Sequence, residues 1–163
     1  MEDIFLVRLA EKNSSRWVKR ALTDSSYKKE FQRINRREYD GEINTDLATY
    51  GDALIKFCYT EILLDESKEL TEERAHYESD KYLVKYVAKK YDLLKHIMKD
   101  SKDENLPNDY DYENNESENN NRHKYIATAV EAMIGAIYKE KHNLKSLKSL
   151  LKSWMKLHPY VPD

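Results

Sequence analysis

The chain has 163 residues and a formal net charge of −2, with 36% charged and 40% hydrophobic residues, the balance of a heavily charged surface around a core large enough for one domain. Three glycines and three prolines are too few for the turns of a β-sandwich or barrel. One cysteine excludes an internal disulfide and a cysteine-based zinc site, and no stretch is long and apolar enough to span a membrane.

Residues 1–12 read as a first amphipathic helix, with Ile4, Phe5, Val7 and Leu9 as its apolar contacts. The apolar run Ile4 to Val7 is too short for a signal peptide. With a lone Cys58 suited to a reducing compartment, the expectation is a cytoplasmic protein. Asn13-Ser-Ser15 is a turn and cap signal ahead of a short helix from Arg16 to Leu22. Thr23-Asp-Ser-Ser26 interrupts the pattern with residues that prefer caps and turns. From Tyr27 to Tyr39 runs a basic segment, Lys28, Lys29, Arg33, Arg36 and Arg37, with Phe31 and Ile34 on the opposite side. Asp40-Gly41 marks a turn, after which Asn44 or Asp46 can cap the next helix, with Asp46 the favoured reading of the acid.

That helix, 49–64, is unusual. Its apolar residues (Ala53, Leu54, Ile55, Phe57, Cys58, Tyr59, Ile62, Leu63 and Leu64) cover more than one face, the pattern of a helix that is central or shared with a partner. Gly51 and Asp52 sit inside it, although an interior glycine costs about 1 kcal/mol relative to alanine and a carboxylate there must be solvated, paired or bound to metal. The stretch 127–138 repeats the oddity: Glu131 lies in an apolar helix, and Gly135 follows on the same face one turn later. Two of the chain's three glycines therefore flank these two acids, which predicts two helices packed closely at their glycines with Asp52 and Glu131 together.

Between them, residues 66–78 read as a short charged helix. Ser79 or Asp80 caps a helix whose apolar positions Leu83, Val84, Val87, Tyr91, Leu94 and Met98 share one face. Residues 99–123 hold almost no aliphatic side chains and read as a flexible, acidic, Asn-rich insert. Asn143 caps a last helix with Leu144, Leu147, Leu151 and Trp154 as its core stripe; Lys145, Lys148, Lys152 and Lys156 beside it read as a solvated face. The five histidines show no ligand spacing. The whole is all-α, about seven helices in one domain over residues 1–163.

Two carboxylates on neighbouring helices can bind a divalent cation through oxygen, and such a cation stabilises charge on a phosphodiester and acidifies water. The plain alternative is that Asp52 and Glu131 each cap or pair with a nearby lysine. Three motifs bear on the choice. Asn44-Thr-Asp-Leu-Ala-Thr-Tyr-Gly-Asp52, followed by Ala53-Leu54, resembles the ribonuclease III signature Asn-Glu-Arg-Leu-Glu-Phe-Leu-Gly-Asp. Ala21-Leu-Thr-Asp-Ser-Ser-Tyr27 resembles that family's Ala-Leu-Thr-His-Ser-Ser-Tyr, with Asp24 for His. Ala129-Val-Glu-Ala-Met-Ile-Gly-Ala-Ile-Tyr138 resembles its second carboxylate helix.

The resemblance implies an all-helical ribonuclease III-like endonuclease domain, a homodimer through the 49–64 helix, cleaving double-stranded or structured RNA such as a precursor ribosomal RNA. It implies Asp52 and Glu131 as catalytic residues and ligands of Mg²⁺, for which Mn²⁺ can substitute, and makes Lys28, Lys29, Arg33, Arg36 and Arg37 candidates for RNA phosphate contacts. The match is incomplete. The family's two signature glutamates fall on Thr45 and Ala48, and its aspartate before the second glutamate falls on Thr128. The short mini-ribonuclease III proteins share the Ala and Thr at positions 48 and 128, and like them this chain shows no double-stranded-RNA-binding module. The losses motivate an alternative expectation, a degenerate domain that binds structured RNA or a ribonucleoprotein without cutting it.

Overall fold

In the computed structural model, which describes residues 2–107, 109, 111 and 121–162, all regular structure is helical apart from an isolated bridge between Thr23 and Met98. The helices are α1 (Ile4–Ala10), α2 (Arg16–Ala21), α3 (Tyr27–Asn35), α4 (Thr45–Leu63), α5 (Leu70–Glu78), α6 (Asp80–Tyr82), α7 (Lys124–Lys141) and α8 (Leu144–Met155). A π-helical stretch, Leu83–Ala88, continues α6, and single 3₁₀ turns form at Leu93–His96 and Asn121–His123. Among the described residues eight α-helices thus stand where about seven were expected. No helix among the described residues is long and apolar enough to cross a membrane.

The starts obey local chemistry. Asp3 caps α1 by accepting from the Phe5 and Leu6 amides, Ser15 caps α2 through the Val18 amide, and Asn143 caps α8 through the Ser146 amide. Asp46 is not the cap of α4. Asn44 holds that position, buried, its side-chain amide donating to the Ala21 carbonyl at 3.2 Å. Asp46 sits in the first turn, where a carboxylate is favoured by the helix dipole, with its side chain in solvent. Thr23 is the tie between distant segments: Leu22 and Asp24 bracket Met98 through backbone hydrogen bonds of 2.7 and 2.9 Å, and the Asn44 amide donates to the Thr23 carbonyl at 2.9 Å.

Around α7 the rest is arranged. Ile126, Ala127, Ala129, Val130, Ala132, Met133, Ile134, Ala136 and Ile137 are all buried, so this helix is apolar nearly all round and other helices cover it. Its most extensive neighbour is α4. A Cβ placed on Gly51 would lie 1.8 Å from the Glu131 carbonyl oxygen, and one on Gly135 would lie 2.7 Å from the Leu47 carbonyl oxygen. The expected glycine-to-glycine packing is present, and it is backbone on backbone. Leu147, Leu151 and Trp154 of α8 are buried as the stripe predicts.

Three expectations are corrected. The helix predicted from Asp80 to Met98 breaks after the π-helical stretch, and Asp92 adopts a left-handed conformation, φ 50°. The break turns Tyr91 inward, where it stacks on Phe5 at 4.2 Å, accepts from the Trp154 indole at 3.0 Å and donates to Asp3 at 2.8 Å. The basic segment is helical only to Asn35, and Arg36 ends it with φ 53°. None of its residues is buried and Ile34 is 67% exposed, so α3 presents no apolar face to the core. It is held by charge instead: Arg33 donates twice to Asp100 at 3.0 Å, and the Asp100 amide donates to Ser26 at 3.0 Å. The insert expected to be flexible over 99–123 is therefore anchored at its start. Lys99 donates to the Leu106 carbonyl at 2.6 Å and Tyr125 to the Pro107 carbonyl at 2.7 Å. Positions 108, 110 and 112–120 of that expectation lie outside the described residues.

Because no side chain can retreat from a backbone carbonyl, Gly51→Ala is expected to cost about 3 kcal/mol or more. Thermal unfolding should show this as a midpoint lower by about 10 °C for a chain of this size. A midpoint within about 2 °C of wild type would show that the two helices are free to separate.

Candidate active site

Gly51 and Glu131 touch through their backbones, so the next residue of α4, Asp52, is delivered beside the Glu131 side chain. The carboxylates' separation is set by main-chain contact, not by the reach of flexible side chains. Asp52 is one-third exposed, and its Oδ2 accepts from Lys56 Nζ at 2.8 Å, one turn along α4. Glu131 is half-buried. Burial first, then the charges of Asp52 and Asp80, push its carboxyl up to about 7, against the smaller opposing pull of Lys56 and Lys124. The site thus gathers two further acids, Asp52 of α4 and Asp80 of α6, around the half-buried carboxyl of α7. Of its two lysines, Lys56 sits on the pair and Lys124 opens α7.

Of the residues predicted from sequence, the structure brings Asp52 and Glu131 together. It does not bring the basic residues of α3 to them: the charges acting most on Glu131 are Asp52, Asp80, Lys56 and Lys124, with no α3 side chain among them. Lys28, Lys29, Arg36 and Arg37 are exposed, Arg37 lying 5.4 Å over the Phe31 ring. Arg33 is committed to Glu30 and Asp100 and acts as the clamp of α3. Thr45 is exposed on the first turn of α4, Ala48 is buried one turn before Asp52, and Thr128 lies one turn before Glu131. Sequence reasoning missed Asp80 and Lys124, whose approach is purely tertiary. Lys56 was visible in principle, since i,i+4 residues of opposite charge share a helix face.

No group of three or more His, Cys, Asp or Glu side chains among the described residues is arranged as a metal cage. Asp52 and Glu131 are the two oxygen donors that could hold a hard cation there, one that keeps much of its own water.

A family model described as the ribonuclease III domain matches residues 45–142, the span from the first turn of α4 to the end of α7. Two solved structures of the nuclease domain of ribonuclease III from Campylobacter jejuni resemble nearly the whole chain. One, at 2.2 Å resolution, gives a TM-score of 0.66 at 21% identity, covering 98% of this chain and 97% of that one. The other, described by structural flexibility in the region involved in dimer formation, gives 0.65 at 19% identity, covering 97% and 99%. These likenesses show that the fold is that of the all-helical nuclease domain. No curated protein matches the chain.

The raised carboxyl makes a pH prediction. Folded Glu131 holds its proton more tightly than the unfolded chain, whose ordinary value is 4.5. Its contribution is therefore unfavourable once the unfolded carboxyl ionises, and stability falls as pH rises from about 4.5 to about 7. With screening of a half-buried group taken into account, the cost at pH 8 is on the order of 1–2 kcal/mol. Urea unfolding should show Glu131→Gln more stable than wild type by that amount at pH 8, with the gap closing toward about pH 4.5. Equal stability at both values would mean that Glu131 is solvated.

Proposed function

We propose that this chain, which belongs to the ribonuclease III domain family, is a divalent-cation-dependent endoribonuclease of double-stranded or structured RNA. The observation that carries the reading is the juxtaposition of Asp52 and Glu131 by the Gly51–Gly135 crossing of α4 and α7. Asp52 and Glu131 are assigned as catalytic residues and as the ligands of the cation, Mg²⁺ with Mn²⁺ as a substitute. A cation bound there supplies charge stabilisation at the scissile phosphodiester and acidifies water for hydrolysis. The chain's own part is to hold two oxygen donors at fixed separation and to keep Glu131 half-buried, so that its proton is exchanged near neutral pH. Lys28, Lys29, Arg36 and Arg37 are assigned to RNA phosphates, contacts that follow shape and backbone more than sequence. The resulting affinity should be strongly salt-dependent.

A homodimer belongs to the same reading. Along α4, Tyr50, Phe57 and Leu64 are exposed to 36%, 47% and 61%. Tyr50, Ala53, the half-buried Leu54 and Phe57 fall at intervals of three and four residues, and Leu64 follows two turns on at the end of the helix, a stripe suited to a second copy of the same helix. The alternative, a domain that binds structured RNA without cutting it, draws on the Asp52–Lys56 pair and on Thr45, Ala48 and Thr128.

Cleavage of a labelled RNA duplex at low salt tests the main reading. Activity should require the divalent cation. Asp52→Asn and Glu131→Gln should each lower it by more than about a hundredfold, since even outer-shell changes around a bound cation cost 10–100-fold. Binding without cutting, unchanged in both variants, would select the alternative. In light scattering, Phe57→Glu should convert a dimer to a monomer at micromolar concentration. Losing two phenylalanines across the two-fold axis removes about 3 kcal/mol, or about a hundredfold in dissociation constant. A dimer that survives the change would place the interface elsewhere.

A further inference from the structure

Lys56 has no counterpart among the residues assigned above, yet its ammonium is bonded to one member of the carboxylate pair. Its Nζ is 2.8 Å from Asp52 Oδ2, and its charge acts also on Glu78 and Glu131. The contact occupies lone pairs of the oxygen that an external cation would need. Asp52 is one-third exposed and Lys56 about half exposed, with side-chain exposures of 33% and 49%. The ammonium can therefore swing into solvent without any rearrangement of α4. Glu131 is the acid left without an ammonium contact of that kind among the described residues, and Asp52 and Asp80 bear on it.

From this geometry we propose that Lys56 is a resident counter-cation: it holds Asp52 in the cation-free protein and leaves Asp52 when a divalent cation binds. It is a positioning residue, and it sets how much cation is needed before the site fills. The inference rests on the reading that Asp52 and Glu131 hold the cation. Two things distinguish Lys56 from an ordinary surface partner. Its charge acts on carboxylates of other helices, Glu78 and Glu131, as well as on Asp52 of its own, and it competes with the cation for the same oxygen. Removing its charge should therefore strengthen cation binding, whereas loss of a merely helix-stabilising pair would leave cation binding unchanged.

The test is direct titration of the protein with MnCl₂ alone, in the absence of RNA, by calorimetry or by electron paramagnetic resonance of free Mn²⁺. Lys56→Met is expected to bind Mn²⁺ about tenfold more tightly, the effect of removing one unit charge at roughly 6 Å from a doubly charged ion in a water-like dielectric. Lys56→Arg, which keeps the charge, should stay within about threefold of wild type, and Asp52→Asn should lose the binding. If Asp52→Asn loses binding while Lys56→Met gains none, the counter-cation role is overturned and the cation site stands. If Mn²⁺ binds equally well to Asp52→Asn, or to no variant and not to wild type, both the site and the role of Lys56 are overturned.

Discussion

The contact of the Gly51 backbone with the Glu131 carbonyl is the constraint on which the rest of this molecule depends. Helices that carry side chains at their crossing stand 8–10 Å apart; here a glycine on each removes the spacer. Small residues continue the effect along α7, where Ala127, Ala129, Ala132 and Ala136 are buried and leave room for the helices that cover it. The cost of two interior glycines, about 1 kcal/mol each, is offset by this close packing. Because the crossing point is also the place where the chain sets its two acids, the same contact that defines the core defines the candidate site.

Several charges elsewhere in this protein are matched. Arg8 bridges Glu11 and Glu140, Arg33 bridges Glu30 and Asp100, and Arg16 and Arg20 share Glu42. Each of these acids has a cationic partner on a neighbouring turn or segment, and each pair fixes the position of an element. Glu131 is the contrast. Its neighbours add negative charge, and the fold tolerates a carboxyl that binds its proton near neutrality. A half-buried carboxyl whose pKa is raised by burial and by neighbouring acids, beside the helix crossing, is a local conflict of the kind expected at a functional site.

Much of this was legible in the residues, because it follows from local rules. Glycine beside a carboxylate in two apolar helices signalled the crossing, and cap residues at Ser15 and Asn143 marked two helix starts correctly. The helix expected to Met98 failed for a tertiary reason: Tyr91 is drawn between Phe5 and Trp154, and a π-helical stretch with a left-handed Asp92 is what lets it turn there. Over 99–107 the insert makes contacts that its low hydrophobicity did not signal. That segment is held by the Arg33–Asp100 ion pair, by Lys99 donating to the Leu106 carbonyl, and by Leu106 packed against the core. Arg33 could not be separated from its basic neighbours by composition, since its partner lies 67 residues away. Asp80 was legible only as a cap, for its approach to Glu131 needs the three-dimensional arrangement of α6 against α7.

The positions where this chain departs from the family's acids shape how a cation would be held. With Ala48 buried and Thr128 beside Glu131, the protein contributes few charged oxygens, and the remainder of the coordination shell falls to water or to the substrate. Mg²⁺ dehydrates reluctantly and takes substrate phosphates as ligands where protein cages are incomplete. On the proposed reading, RNA phosphate oxygens would thus supply part of what the missing carboxylates do not. By linkage, a cation held jointly by protein and RNA strengthens the binding of each. A sparse donor set then couples occupancy of the site to the presence of its substrate. Lys56, which neutralises Asp52 in the meantime, limits the cost of keeping such an acidic site in the uncomplexed fold.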